Sequence, residues 1–417
     1  MKLTDDQVNA SAAFTSFLMN DNEKFFVISG GAGSGKSTLI KHLLDTLEDK
    51  YKMVNMLKQQ KQKQLSIALT ATTNKAVAVL REMKNADPLT IHAFLKLTVK
   101  PNLNTGNTDL IKSKNCAPIF DHLIVIDEAS FIDDKLFDFI DELTYRCKIV
   151  LVGDQYQLAP VKQKTTIMET LICPKVELKQ IVRNNGIIKA IGQQFKNTVK
   201  TETFAPIVLG SEDKALIKVD GATFKRMVDE AFTDEEYGAN TAKVLAWTNS
   251  RVIAYNNHIR DIKGYKTEYS VGETVITAKP IIGKGFHVPI DSNVIISRVE
   301  PLTKLRNIEG NYTTIEGNYR SFLPANHNDT KLLLKKYAKE KSWLEYFEVK
   351  DNWLDLRPNY ASTVHKAQGS TYEVAFIDMS DIGKCHIPTD VARMVYVAIT
   401  RASKQVVLYG NLPYKYS

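Results

Sequence analysis

The sequence predicts an α/β fold: two parallel-sheet domains, each interrupted by an insertion. Three observations predict it. Residues 1–184 alternate short apolar runs with helical stretches, the rhythm of repeated strand–helix–strand units. A second rhythm of the same kind begins near residue 185 and returns at 359–409. A glycine-rich turn, Gly30-Gly31-Ala32-Gly33-Ser34-Gly35-Lys36-Ser37, joins a buried-strand pattern (Phe25-Phe26-Val27-Ile28) to a helical one (Ser37 to Leu44). At 417 residues the chain is long enough for two or more hydrophobic cores.

Taken in order, the strands of the first domain are expected at 24–29, 66–71, 122–127 and 148–153. Lys52 to Gln64 is Lys/Gln-rich and poor in apolar residues, so it reads as a solvated helix end or loop. Residues 98–118 break the rhythm with Pro101, Asn104-Thr105-Gly106-Asn107 and Pro118. Leu97-Thr98-Val99 and Asp109-Leu110-Ile111 flank that polar tip, which predicts an inserted β-hairpin. In the second domain Val244 to Trp247 is a strand and Arg251 to Ile262 a helix. Short β runs at Glu273 to Ala278, Asn293 to Val299 and Tyr312 to Ile315, separated by Gly and Pro, suggest a small barrel-like insertion. A single helix is expected from Asp329 to Phe347, with Leu333, Tyr337, Leu344 and Phe347 as its apolar positions. The expected partition is 1–184 (with the hairpin at 98–118), 185–265 joined to 355–417, and an insertion at 266–354.

Hydrophobic residues make up 44% of the chain and the net charge is +8. That excess suits a polyanionic partner, and equally a soluble surface. The four cysteines are scattered without a C-x-x-C pair, which argues against a zinc module or a disulfide framework and for a reducing compartment. Asp5 and Asp6 near the start do not fit a signal peptide. No apolar run approaches the length of a membrane span, so no membrane partner is expected.

The chemistry starts at the glycine-rich turn. The pattern G-x-x-x-x-G-K-[ST] is met by Gly30, Gly35, Lys36 and Ser37. Such a turn wraps backbone N–H groups around a triphosphate at a helix N-terminus, so Gly30, Gly31, Ala32, Gly33, Ser34, Gly35, Lys36, Ser37 and Thr38 form the expected cradle. Lys36 would reach the β- and γ-phosphates, and the Ser37 hydroxyl would ligate Mg²⁺. The run His122 to Glu128 is a buried strand ending in two carboxylates. Asp127 would hold Mg²⁺ and Glu128 would orient and deprotonate an attacking water. Ile149 to Val161 delivers another polar loop to a sheet's C-terminal edge, where Gln157 is the candidate γ-phosphate sensor.

This set resembles the superfamily 1 helicases, in particular their RecD/Dda-like branch. Leu3 to Ala10 is similar to the family's adenine-reading segment, with Gln7 as the base contact. Ala68 to Ala76 resembles its first nucleic-acid segment, although Ala71-Thr72-Thr73 stands where the family has Ala-Pro-Thr. Thr90 to Leu95 resembles the next strand-gripping segment, and Gly153 to Val161 the third motif. Arg183 matches the fourth motif, and Ala246 to Asn249, with Asn256 and Arg260, the segment that opens a second motor domain. Tyr360 to Thr371, including Gly369, matches the fifth motif, and Tyr396 to Ala402 the sixth.

The resemblance implies two RecA-like domains, an arginine finger at Arg401, and three cations (Lys36, Arg183, Arg401) for one transferring phosphoryl group. It implies nucleic-acid contacts at Thr72, Asn74, Thr90, His92, Thr248, Asn249, Thr363 and His365. His92 and His365 read equally as core histidines. Phe94, Trp343 and Trp353 are stacking candidates for which a core role is the alternative. Hairpin 98–118 sits where such helicases carry a duplex-splitting pin. The implied protein is an ATP- and Mg²⁺-dependent DNA helicase moving 5′→3′ on single-stranded DNA and working at forks, in replication, recombination or repair. It would act as a monomer in the cytoplasm (the host's, if viral), with a single-strand-binding or replication protein as candidate partner. The alternatives are an RNA helicase of the same superfamily, a small-molecule kinase, and a clamp that hydrolyses ATP without unwinding.

Overall fold

A computed structural model describes residues 3–416 apart from 59–64, 83–86, 102–107, 161–162, 164, 181–185, 211–213, 234–237, 239–240, 266–268 and 284–285. The first half carries a six-stranded parallel sheet. Its strand order is Lys175–Leu178, Phe25–Gly30, Lys148–Gly153, His122–Asp127, Ser66–Ala71, Leu89–Thr90. Successive side chains of a strand point to opposite faces. Val125, Val150 and Val152 therefore enter a core with Phe14, Phe17 and Leu39. Their neighbours Ile124, Ile126 and Leu151 enter the opposite core with Leu136 and Ile140 of helix Asp134–Leu143. Both faces are covered, which is why these strands read as unbroken apolar runs. The helix Asp5–Met19 is fixed to the sheet by Phe17 stacked on Phe26, ring centroids 5.3 Å apart.

The four strands expected in this half are present, within a residue of their predicted bounds. Two edge strands, Leu89–Thr90 and Lys175–Leu178, escaped the sequence reading because both are short and the second mixes charged with apolar residues. Part of the Lys52 to Gln64 stretch belongs to helix Leu47–Lys58, which buries Tyr51 and Val54; 59–64 lie outside the described residues. The hairpin pairs Leu97–Pro101 with Thr108–Lys112, Val99 opposite Leu110; its tip at 102–107 also lies outside them.

The second half carries a five-stranded parallel sheet in the order Leu216–Val219, Ala402–Tyr409, Tyr372–Asp378, Ala242–Ala246, Ala361–Thr363. Val374 and Phe376 face one core and Ala375 and Ile377 the other. Helix Pro388–Thr400 is buried continuously from Val391 to Ile399, so it runs through the molecule rather than over it. The core around it also takes in Tyr156 and Leu158 from the first half.

Between these strands lies an antiparallel sheet: Leu356–Pro358, Thr274–Thr277, Asn293–Val299, Ile308–Ile315 and Tyr319–Pro324, with Thr303–Leu305 pairing the start of Ile308–Ile315. Leu356–Pro358 extends this sheet past residue 354. The Leu354 N–H donates to Phe322 O (2.7 Å), tying the two outer strands together. The single helix expected from Asp329 to Phe347 is two, His327–Glu340 and Trp343–Phe347. Lys341 breaks it in the left-handed region (φ 56°). Among the described residues no helix is long and apolar enough to cross a membrane.

Candidate nucleotide site and strand channel

The turn after Phe25–Gly30 needs two left-handed residues, and glycines supply them: Gly33 (φ 77°) and Gly35 (φ 82°). Gly35 starts helix Lys36–Asp45 without a side-chain cap, so the first N–H groups of that helix point into the turn. Lys36 Nζ donates to Gly30 O (2.6 Å) and Gly31 O (3.1 Å). Gln7 is buried beneath the turn. Its Oε1 accepts the Thr4 N–H (3.0 Å) and its Nε2 donates to Gly35 O (3.1 Å). A Cβ on Gly35 would meet Gln7 Nε2 at 2.5 Å. Gln7, the residue expected to read a base, thus also supports the loop.

Asp127 and Glu128 end the strand His122–Asp127 beside it. Asp127 Oδ1 accepts the Glu128 N–H (2.9 Å), and Glu128 sits in the left-handed region (φ 53°). Burial raises the Asp127 carboxyl above its usual range. Burial and the neighbouring Asp127 charge push Glu128 up to about 7, against the pull of Lys36 and Arg401. Glu128 Oε2 and Ser34 Oγ are buried with no hydrogen-bond partner among the described residues. Buried polar atoms are normally paired, so a cradle with two orphaned oxygens, one of them a carboxylate, suits a phosphate–metal group. Ser37 and Asp127 are the residues that would hold Mg²⁺.

The second half completes the site. Gln157 is buried, its Nε2 3.4 Å from Asp154 Oδ2, and its Oε1 accepts from Gln368 Nε2 (2.8 Å). A Cβ on Gly369 would come within 3.7 Å of Glu128 Oε1. Tyr396 OH donates to Asp154 Oδ2 (2.7 Å) and would touch a Cβ on Gly31 at 2.8 Å. Arg401 is buried, with Nη1 on Ser370 O (3.2 Å) and Nε on Val397 O (3.2 Å), close enough to act on the Glu128 charge. Arg183 lies outside the described residues. The sequence reading did not single out Asp154, Gln368, Arg393 or Tyr396. The first, second and fourth stand inside motifs it had recognised, beside the residues it chose.

A cavity of about 1050 Å³ opens between the halves and the antiparallel sheet. Lys75, Lys243, Arg260, Lys331, Arg357 and Lys366 line it, with Asp291 opposed to Lys366 (3.9 Å). Of the expected nucleic-acid residues, Asn249 and Thr363 line this cavity. Thr248, Thr363 and Thr90 have structural work as helix N-caps, accepting from Arg251, Lys366 and Ala93 respectively. Thr72 donates from Oγ1 to Glu128 O (2.8 Å), so it ties the first nucleic-acid segment to the carboxylate turn. Asn74 and His365 are exposed. His92 is half-buried, and burial lowers its pKa. Phe94 packs edge-on against His122 (5.9 Å) at the margin of the first core. Trp353 is buried against Phe322 (4.6 Å), so its role is core and not stacking; Trp343 packs on Tyr346.

Residues 16–163 match the family model described as an AAA domain, and 358–409 the UvrD-like helicase C-terminal domain. The ATP-dependent DNA helicase dda of Enterobacteria phage T4 is 24% identical, over 97% of this chain and 98% of its own length. The RecBCD enzyme subunit RecD of Buchnera aphidicola is 23% identical, over 92% of this chain and 70% of its own. The fold is that of the Pif1 helicase from Bacteroides in complex with ADP-AlF3 and single-stranded DNA. That structure has a TM-score of 0.53 at 15% identity and covers 100% of this chain and 94% of its own. In the order of its motifs and over nearly its whole length, this chain is similar to the Dda and RecD helicases of superfamily 1.

Proposed function

We propose that the protein is an ATP-hydrolysing, Mg²⁺-dependent DNA helicase that moves 5′→3′ on single-stranded DNA and opens duplexes at forks. One observation carries the reading: the phosphate-loop half supplies Lys36, Glu128 and Gln157, while Gln368, Tyr396 and Arg401 reach the same place from the other half. A site split this way is complete only when the cleft is closed, so hydrolysis is coupled to opening and closing, the motion from which translocation is built.

In this scheme Glu128 takes the proton of the attacking water, and Lys36 and Arg401 meet the charge that develops on the transferring phosphoryl group. Arg183 is proposed as the third such cation. Bound Mg²⁺ would neutralise phosphate charge at Ser37 and Asp127. Gln157 reports the γ-phosphate through Gln368 to the second half. The lysine- and arginine-lined cavity, with Asn249 and Thr363 on its wall, is the proposed strand path. Its lysines and arginines suit a polyanionic strand, so binding is expected to tolerate sequence and to weaken with salt.

The proposed organisation is two RecA-like motor domains, 1–184 and 185–265 with 355–417. The hairpin at 98–118 is the proposed pin, and 266–354 an inserted SH3-like barrel that guides the strand; the bond between Leu354 and Phe322 supports the closure. The relatives named for DNA support DNA over RNA. A monomer is the proposed functional state, acting in the cytoplasm, with a single-strand-binding or replication protein as partner.

The test is unwinding of duplexes with a 5′ or a 3′ single-stranded tail, of DNA or RNA, with and without ATP. ATP-dependent strand separation of the 5′-tailed DNA is expected. Preference for a 3′ tail overturns the polarity, and preference for RNA overturns the substrate. Strand-stimulated hydrolysis with no separation on any tail overturns the helicase reading itself.

A further inference from the structure

We infer that Arg393 is a positioning residue for hydrolysis: reaching across from the second half, it holds the turn that carries Gln157. The inference rests on the proposed ATPase reading and names a residue that reading does not use. Arg393 is 4% exposed. Its Nη1 donates to two carbonyls of one turn, Gln155 O (2.8 Å) and Gln157 O (2.5 Å). Its Nη2 donates to Glu169 Oε1 (2.8 Å), and the other oxygen of that carboxylate accepts the Thr166 N–H (3.2 Å).

Within the turn Asp154 accepts the N–H groups of Tyr156 and Gln157 (both 3.1 Å), but the Gln157 side-chain amide reaches Asp154 only at 3.4 Å, and the carbonyls of Gln155 and Gln157 are held from the other half by Arg393. A planar guanidinium with two donors on one turn fixes its orientation in a way a flexible ammonium does not. Burying a charge for stability alone is a poor exchange against apolar packing, and this charge lies on a helix already apolar from Val391 to Ile399 apart from it and Tyr396.

The placement has a mechanical consequence. Arg393, Tyr396 and Arg401 lie along helix Pro388–Thr400 and its C-terminal cap, Arg393 and Arg401 about 12 Å apart along the axis. Any shift of this helix that withdraws Arg401 also releases the carbonyls of Gln155 and Gln157. Finger and sensor therefore engage together, and the site is not half-assembled in an open cleft.

The experiment is a double-mutant cycle between Arg393→Met and Gln157→Ala. It measures kcat and KM for ATP with saturating oligothymidine, and affinity for ADP against ADP–aluminium fluoride. Arg393→Met is expected to lower kcat by about 10²-fold, the size of a misplacement effect, with KM for ATP and ADP affinity little changed and the aluminium fluoride complex weakened. In a Gln157→Ala background the same change should cost less than about threefold, because the residue acts through Gln157. Arg393→Lys should restore part of the loss. Wild-type kcat in Arg393→Met, or losses that multiply in the double variant, overturns the inference. If Arg393→Met does not fold, Glu169→Gln carries the same cycle with a smaller expected loss. A wild-type protein without ATPase activity would overturn the functional reading and this inference with it. An active wild type with an unaffected variant overturns this inference alone.

Discussion

Each half of the molecule contains a parallel-sheet strand that turns into a helix at the C-terminal edge, and the two turns are built in opposite ways. After Phe25–Gly30 comes a glycine-rich loop, and helix Lys36–Asp45 begins at Gly35 with no side-chain cap. After Ala242–Ala246 the chain passes directly through Trp247 and Thr248 into helix Asn249–Ile262. There the Asp381 carboxylate accepts the N–H groups of Trp247 (2.9 Å) and Thr248 (2.7 Å), and Thr248 Oγ1 caps Arg251. Burial works against the Asp381 charge, but the Thr248 N–H and Lys384 hold its pKa below the ordinary carboxylate value. One helix N-terminus has no side-chain cap, and the other is filled by the protein's own carboxylate. Similar sheets thus differ at this edge, and the first is the one proposed to receive phosphate. The second is a closed framework that brings Gln368, Arg393, Tyr396 and Arg401 to it.

The sharpest way to break the comparison is Lys36→Ala. Among the described residues the ammonium hydrogen-bonds only to loop carbonyls in its own turn, Gly30 and Gly31. Steady-state ATPase should be abolished while the melting temperature stays near wild type; retained strand-stimulated hydrolysis would remove the first turn from its role. Next is Arg401→Ala, on the framework side. An arginine finger is worth about 10³–10⁵ in rate, so single-turnover hydrolysis should slow on that scale while ADP affinity, which belongs to the first half, changes little. A loss of nucleotide affinity equal to that of Lys36→Ala would mean that the halves do not divide the work as described.

Asp381→Ala tests the filled turn. It leaves the half-buried N–H groups of Trp247 and Thr248 without their carboxylate, at up to about 1–3 kcal/mol for each group left unsatisfied. Urea unfolding followed by tryptophan fluorescence is well suited, because all three tryptophans, Trp247, Trp343 and Trp353, lie in the second half. An unchanged midpoint would show that Asp381 is not the internal anion. The smallest effect concerns the insertion. His327 is held at about 4 by burial and by the Arg357 charge, with Asp355 opposing. A histidine depressed from its ordinary value near 6.5 contributes stability above that value and loses it as pH falls toward 4. Between pH 7 and 5.5 the loss should be about 1 kcal/mol. His327→Asn should flatten that limb of the fluorescence-monitored stability profile. An identical acid limb in the variant would assign it elsewhere.

What was legible in the sequence was whatever local chemistry decides. Strands covered on both faces announce themselves as apolar runs, so 24–29, 122–127 and 148–153 were readable. The phosphate loop was readable because its conformation needs Gly33 and Gly35 at fixed offsets from Lys36. The hairpin was readable from two apolar flanks around a polar tip, and the structure supplied its register. Edge strands such as Lys175–Leu178 were not, because half-exposed strands carry mixed residues. Nor was the break at Lys341, where a lysine takes a conformation usually left to glycine or asparagine.

The site divides along the same line. Lys36, Ser37, Asp127 and Glu128 stand on one sheet edge, each beside its own strand, and their residue types betray them. Gln368 meets Gln157 across 211 residues of chain, and Arg393 meets Gln155 across 238. No spacing rule connects such pairs. Thr248 was singled out as a nucleic-acid contact, and no pattern in the sequence showed that Asp381, 133 residues on, holds its N–H and hydroxyl. Trp353 looked available until Phe322 covered it. Sequence alone determined which turn could receive a triphosphate, because that is a property of backbone conformation and of a few adjacent side chains. Tertiary structure decided what faces that turn from the other half, because a side chain's partner is set by packing between cores that the sequence does not place relative to one another.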